Sequence, residues 1–132
     1  AAESRLLALA DYRHAAELQP SWPYTWIDLA LVKARLGIVD QEALDALQNA
    51  FNAGQWRADV LLKITETGVF AWEMLPTRGK KLVIASIDRG LASSAITAGL
   101  VAKSLELFEQ RSTICNRSIN NYAYLKKWCN SP

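Results

Sequence analysis

Apolar residues recur at spacings of three and four along most of the chain, as in amphipathic helices packed around a core. In residues 2–18, for example, Leu6, Leu9, Tyr12 and Ala16 fall near one face. Runs of β-branched residues that alternate with polar ones, the mark of exposed strands, do not occur. The pattern therefore predicts an all-α protein.

Proline, glycine and capping residues divide the first half of this pattern into helices. Pro23 suits the first turn of a helix over residues 22–36, and Gly37 follows its last turn. Asp40 is placed to cap the next helix, over residues 41–53. The connections are short, which favours antiparallel neighbours.

The second half predicts further helices over 57–67, 78–89 and 94–110, with a last helix of two to three turns in the tail. Gly68 and Gly90 are expected to end the first two of them, since glycine weakens helix interiors. The positions expected to face the core in these helices are Val60, Leu61, Ile64, Leu82, Val83, Ile84, Ile87, Ile96, Leu100, Val101, Leu105 and Phe108.

Two triplets in the first half share spacings of four and then three residues: Ala8, Tyr12 and Ala15, and Ala43, Leu47 and Ala50. Between them lies Trp26, followed by Leu29 and Ala30. Small residues at fixed helical spacing let helices approach closely, and a large residue fills the gap beside them. This pattern resembles the tetratricopeptide repeat.

The resemblance makes residues 2–20 the second helix of a unit, residues 23–54 a whole unit and residues 57–75 a degenerate one. Two departures stand out. Lys33 occupies a position where tyrosine is usual, and Gln55-Trp56 replaces the closing proline.

A longer string resembles the VpsP family of bacterial polysaccharide-biosynthesis proteins. It consists of "YRHAAELQPSWPYTWIDLALVKARLG", a Trp-Arg segment, "TGVFAWEML", "TRGKKLV" and a cysteine-bearing tail. These small tetratricopeptide-like proteins are encoded with exopolysaccharide assembly genes. The resemblance implies an extracytoplasmic, periplasmic domain tethered to the inner membrane and supplies no biochemical activity.

The resulting expectation is a single domain, 1–132, built as a right-handed superhelix of antiparallel helix pairs. Residues 2–75 would form tetratricopeptide-like pairs and residues 77–132 a helical cap. The first helix of each pair lines a concave surface in such stacks, which suits a scaffold that binds a protein partner. The residues expected to contact that partner, a member of an exopolysaccharide assembly complex, are Tyr24, Ile27, Leu31, Arg35, Asp59 and Lys63.

Three aromatic residues near helix ends offer an alternative. We expect Trp22, Tyr24 and Trp56 to be buried between helices. Exposed together, they would form an aromatic platform for a peptide or for sugar rings, with Trp22 and Trp56 stacking on polysaccharide.

Catalytic motifs are absent from the sequence, so we expect no enzyme, cofactor or metal; a glycan-active enzyme is the least favoured of three hypotheses. The single histidine, His14, stands three residues from both Asp11 and Glu17, and we expect all three on a solvated surface.

Charge is uneven along the chain although the net charge is only +2. Residues 1–66 carry six basic and nine acidic side chains, whereas residues 67–132 carry nine basic and four acidic ones. The densest basic runs are "RGKK" at 78–81 and "LKK" at 125–127. They suit either a solvated helix surface or contact with anionic headgroups or an acidic polymer. Scattered basic residues without a known motif argue against nucleic acid.

Two cysteines, Cys115 and Cys129, bear on the compartment, and we expect a disulfide between them. On one straight helix their Cα atoms would lie ~21 Å apart, so a disulfide needs a turn, for which residues 116–121 are suited. A bridge indicates an oxidising compartment, whereas two free thiols favour a cytoplasmic adaptor. The chain starts at Ala1 rather than Met, so we expect a preceding signal peptide, membrane anchor or cloning-derived segment.

Overall fold

The computed structural model describes residues 2–131, and every regular element in that range is a helix. The expected all-α class is therefore confirmed. The α-helices are α1 (Ala2–Leu18), α2 (Pro23–Arg35), α3 (Gln41–Gly54), α4 (Ala58–Phe70), α5 (Thr77–Ala92), α6 (Ala95–Leu107), α7 (Arg111–Cys115) and α8 (Ala123–Cys129), with a 3₁₀ turn at Trp72–Met74.

The end of α2 follows from its glycine. Gly37 adopts φ 75°, a conformation that costs a residue without a side chain little. This lets the Ile38 amide donate to the Lys33 carbonyl and the Gly37 amide to the Ala34 carbonyl, each at 2.9 Å. The last turn thereby has its carbonyls satisfied, as the sequence predicted.

Side-chain caps begin two other helices, one of them at the predicted residue, Asp40. The Asp40 carboxylate accepts from the Ala43 amide at 3.0 Å, and the Ser94 hydroxyl accepts from the Thr97 amide at 3.1 Å. Each satisfies an amide that has no partner within its helix.

Gly68 and Gly90 do not interrupt helices, contrary to expectation. Helix α4 continues through Gly68 and α5 through Gly90, and both glycines are buried. A Cβ atom at Gly68 would lie 2.2 Å from Val83, and one at Gly90 would lie 2.8 Å from Val101. These glycines are sites of close helix contact rather than helix ends.

The predicted helix over 94–110 is too long, and the short helix α7 that follows it was not predicted, whereas residues 116–129 contain the one tail helix expected, α8. Helix α6 ends at Leu107 because Glu109 adopts φ 55° and the Gln110 amide donates to the Leu105 carbonyl at 2.9 Å. The same left-handed ending usually employs glycine, so the sequence carried no obvious signal for it.

The helices pack in two layers. Consecutive helices contact each other from α1 to α6, and alternate helices also touch: α2 with α4, α4 with α6, and α3 with α5. Helices α2, α4 and α6 therefore lie side by side, with α3 and α5 behind them and α8 against α5.

The core lies between these layers, and Trp72 is the largest fully buried side chain. Most positions predicted to face inward are buried, but four are not: Phe108, which follows α6, is 37% exposed, and the other three lie within helices. Leu6, Ile96 and Leu100 are exposed, Ile96 to 78%. They lie on faces of α1 and α6 that carry no neighbouring helix among residues 2–131, which helical periodicity alone does not reveal.

Candidate functional site

A groove of about 340 Å³ lies between α2 and α4, and the residue that follows α6 also lines it. Ile27 and Leu31 line it from α2, Phe70 from α4, and Phe108 from the end of α6. Ile27 is fully buried and belongs to the floor, whereas Phe70 is 44% exposed. The Phe70 and Phe108 rings meet edge to face, with centroids 6.2 Å apart. Apolar surface is therefore available to a ligand in the groove.

Charged side chains of both signs line the same groove. Arg35 and Lys63 are basic, and Asp28 and Glu66 are acidic. Burial raises the pKa of the Asp28 carboxyl, and the nearby Lys63 ammonium partly opposes that rise. The groove thus combines an apolar floor with a charged border.

Four of the six predicted partner-binding residues come together in this groove: Ile27, Leu31, Arg35 and Lys63. The other two, Tyr24 and Asp59, lie at the first turns of α2 and α4 and bond to each other instead. The Tyr24 hydroxyl donates to the Asp59 carboxylate at 2.6 Å, which raises the pKa of Tyr24 and lowers that of Asp59. The Arg57 guanidinium lies 5.6 Å from the centre of the Tyr24 ring. Tyr24 and Asp59 therefore join α2 to α4 beside the groove.

Sequence reasoning missed several groove residues. Three of them follow Lys63 at spacings of three, four and seven: Glu66, Thr67 and Phe70. They share its helix face, so helical periodicity could have predicted them. Phe108 follows a helix that is distant in sequence, and helical periodicity does not predict which helices lie beside the groove.

The aromatic residues near the helix ends differ from expectation. Trp22 and Trp56 are 48% and 77% exposed, so the expected burial of both is wrong. The Trp22 and Tyr24 rings are 5.1 Å apart but inclined by 55°, and Tyr24 is half-buried. These residues therefore do not form one flat platform. Trp26 does pack between helices, where its indole nitrogen donates to the Pro20 carbonyl at 2.7 Å.

A second cleft, of about 430 Å³, is lined by the α3–α4 turn, α5 and α8. Trp56 and Tyr124 both line it and are both exposed. The Arg89 guanidinium lies 4.5 Å from the centre of the Trp56 ring, and its Nε donates to the Gln55 carbonyl at 3.2 Å. Asp88 also lines the cleft.

Lys33, which stands where the repeat pattern usually has tyrosine, is buried and forms ion pairs that link helices. The Lys33 side chain is 3% exposed, and its ammonium donates to Asp40 and to Glu42. Glu42 also accepts two hydrogen bonds from the Arg13 guanidinium, at 2.6 and 2.7 Å. The bonds from Arg13, together with those from Lys33, lower the pKa of Glu42 to about 2. The network joins α1, α2 and the start of α3.

His14, Asp11 and Glu17 all lie on the exposed face of α1. Within residues 2–131, no group of three or more His, Cys, Asp or Glu side chains is arranged to hold a metal ion. Over the same range, none of the helices has the length and apolar character needed to cross a bilayer.

The basic run at 78–81 is partly engaged in contacts within the protein. Arg78 donates to Asp45 at 2.8 Å, and the Lys80 ammonium lies 5.5 Å from the centre of the Trp72 ring. In the other run, Lys126 and Lys127 are exposed in the last turn of α8.

A disulfide joins Cys115 at the end of α7 to Cys129 at the end of α8, with Cα atoms 5.6 Å apart. The predicted bridge is therefore confirmed, and the chain turns between the two short helices over residues 116–122. Disulfides of this kind are typical of proteins in oxidising, extracytoplasmic compartments.

Comparisons of the chain with protein family models, curated proteins and solved structures found no match.

Proposed function

We propose that the chain is a non-catalytic interaction module whose groove between α2 and α4 binds a segment of a partner protein. One observation carries the proposal: Phe70 and Phe108 leave apolar ring surface exposed in a groove with an apolar floor and charged borders. Protein interfaces commonly have this composition, with aromatic residues at the centre and polar groups at the rim.

The size of the groove limits its occupant. A volume of about 340 Å³ accepts a few side chains, not a whole helix. A bound segment therefore lies along the groove, either extended or helical, and inserts apolar side chains between Leu31 and Phe70. Its acidic groups would meet Arg35 and Lys63, and its basic groups Glu66.

The helix contacts support a tetratricopeptide-like arrangement. Helices α2 and α4 hold the first position in successive helix pairs, and first helices line the binding surface in stacks of this type. A right-handed superhelical stack would thus place the groove on the concave side.

The resemblance to the VpsP family suggests a setting in bacterial exopolysaccharide assembly. The disulfide between Cys115 and Cys129 supports an extracytoplasmic location, for which we propose the periplasm. There the domain would hold a protein of the assembly complex near the membrane. A cytoplasmic adaptor is the less favoured setting.

Selection from a displayed library of random peptides on the oxidised protein tests the proposal. Each selected peptide is then titrated against the wild type, Phe70→Ala and the matched control Ile96→Ala, which removes an exposed apolar side chain outside the groove. We expect Phe70→Ala to weaken binding about tenfold or more, which corresponds to ~1.4 kcal/mol, and Ile96→Ala to change nothing. The proposed groove would be contradicted if the selected peptides bound Phe70→Ala as tightly as the wild type. It would also be contradicted if the library yielded no binding peptide.

A further inference from the structure

The second cleft differs from the groove in composition. Its exposed rings are those of Trp56, which is 77% exposed, and Tyr124, and each carries a polar atom that the phenylalanines of the groove lack. Exposed apolar surface that is contiguous and rimmed by polar groups marks binding sites. The face of an aromatic ring carries partial negative charge and attracts the polarised C–H bonds on the face of a sugar ring.

Arg89 supplies fixed hydrogen-bond donors at this cleft. Its Nε donates to the Gln55 carbonyl, and its guanidinium packs over the Trp56 ring at 4.5 Å. Neither terminal nitrogen has a hydrogen-bond or ion-pair partner among residues 2–131, so both are available to a ligand.

Asp88 supplies the matching acceptor. Its Oδ1 accepts from the Leu125 amide at 2.9 Å, in the first turn of α8. No basic side chain in the described range pairs with Asp88, so its other oxygen is available. The charges of Asp88 and Arg89 balance, which leaves the cleft with no net charge. A carboxylate or phosphate would be attracted by the Arg89 guanidinium but repelled by the Asp88 carboxylate.

A hydroxyl group both donates and accepts hydrogen bonds, so neighbouring hydroxyls match Asp88 and Arg89 together. The volume of about 430 Å³ falls in the range of small-ligand sites. Tyr124 is positioned by two anchors of α8: the Asp88–Leu125 hydrogen bond at its start and the Cys115–Cys129 disulfide at its end. We propose that this cleft binds a neutral pyranose ring of a saccharide, stacked on Trp56 and Tyr124 with its hydroxyls on Asp88 and Arg89.

This proposal is independent of the peptide groove, because no residue lines both. The experiment titrates the oxidised full chain with neutral gluco-, manno- and galacto-oligosaccharides, and with an oligogalacturonate as the acidic comparator. Two-dimensional NMR follows the Trp56 indole and the amides of Asp88 and Tyr124. The variants are Trp56→Ala, Asp88→Asn, and Trp22→Ala as the matched exposed-tryptophan control.

We expect at least one neutral oligosaccharide to bind with millimolar affinity or better and to shift these signals. Binding should weaken about tenfold or more in Trp56→Ala, weaken in Asp88→Asn, stay unchanged in Trp22→Ala and vary little with salt. The proposal is overturned if no neutral probe binds, or if Trp56→Ala binds as well as the wild type. It is also overturned if only the oligogalacturonate binds, in a salt-sensitive manner, because that result describes an anion site.

Discussion

A Cβ atom on Gly68 of α4 would lie 2.2 Å from Cγ2 of Val83 on α5. Real Cβ atoms do not approach other atoms so closely, so the two helices meet here only because position 68 has no side chain. The glycine that looks like a helix break in the sequence is thus a packing contact in the interior of α4.

Gly68→Ala should therefore destabilise the protein although alanine favours helices. Overpacking in a tight interior costs ~1–3 kcal/mol, more than the ~1 kcal/mol that alanine gains over glycine in helix propensity. Gly99→Ala is the matched control on α6, where an added Cβ meets nothing within 4 Å, and should stabilise by up to ~1 kcal/mol. Urea unfolding measures both.

A Gly68→Ala protein as stable as Gly99→Ala would contradict the close α4–α5 contact. The double variant Gly68→Ala/Val83→Ala provides a further test. It removes the atoms that the new methyl would meet, so it should be more stable than the Val83→Ala variant alone.

Acid should weaken the ionic network of Arg13, Lys33 and Glu42 that links α1, α2 and α3. The pKa of Glu42 falls from an ordinary 4.5 to about 2 in the folded protein, so the folded state binds fewer protons than the unfolded state between these values. The stability that Glu42 contributes is thus fully present above about pH 4.5 and is lost as the pH falls toward 2. Urea unfolding at a series of pH values should show this loss.

Glu42→Gln removes the titrating group, so that variant should be less stable near neutral pH and lose less stability over the same acid range. Glu106→Gln, an exposed carboxylate on α6, is the control and should follow the wild type. If Glu42→Gln lost as much stability in acid as the wild type, the ionic tie would not operate as described.

The disulfide should stabilise α7 and α8. Closing a loop of this length contributes ~3 kcal/mol, so a double variant Cys115→Ser/Cys129→Ser should unfold at lower urea concentration by about that free energy. Hydrogen exchange should rise in α8, which the bridge holds at its end. Reductant should lower the stability of the wild type to a similar level and leave the double variant unchanged. A wild type that is insensitive to reductant would contradict this role.

Much of the fold was predictable from local signals. Asp40 and Ser94 cap helices, and Gly37 ends one, because each acts on a backbone next to it in sequence. The helix ends were predicted wrongly where a contact with a residue distant in sequence determines the structure. Gly68 and Gly90 read as breaks because Val83 and Val101 are remote in sequence, and the end of α6 was missed because Glu109 adopts the conformation usually left to glycine.

The sequence predicts which residues share a face of one helix, but not which helices come together at a site. Helix faces therefore predicted Leu31, Arg35 and Lys63. They could not predict the contributions of Phe108, which follows α6, and Tyr124, which lies in α8. The exposure of Trp56 was missed for a related reason. A tryptophan near a helix end is usually covered, and only the folded arrangement leaves it beside Arg89 with most of its surface in water.

Binding of a peptide segment in the groove between α2 and α4 is tested most directly by a backbone and methyl NMR titration. The oxidised protein is titrated with the tightest peptide from the displayed library. We expect shifts concentrated at Leu31, Lys63 and Phe70, and their loss in Phe70→Ala. Shifts concentrated instead at Ile96 and Leu100, on the outer face of α6, would contradict binding in that groove.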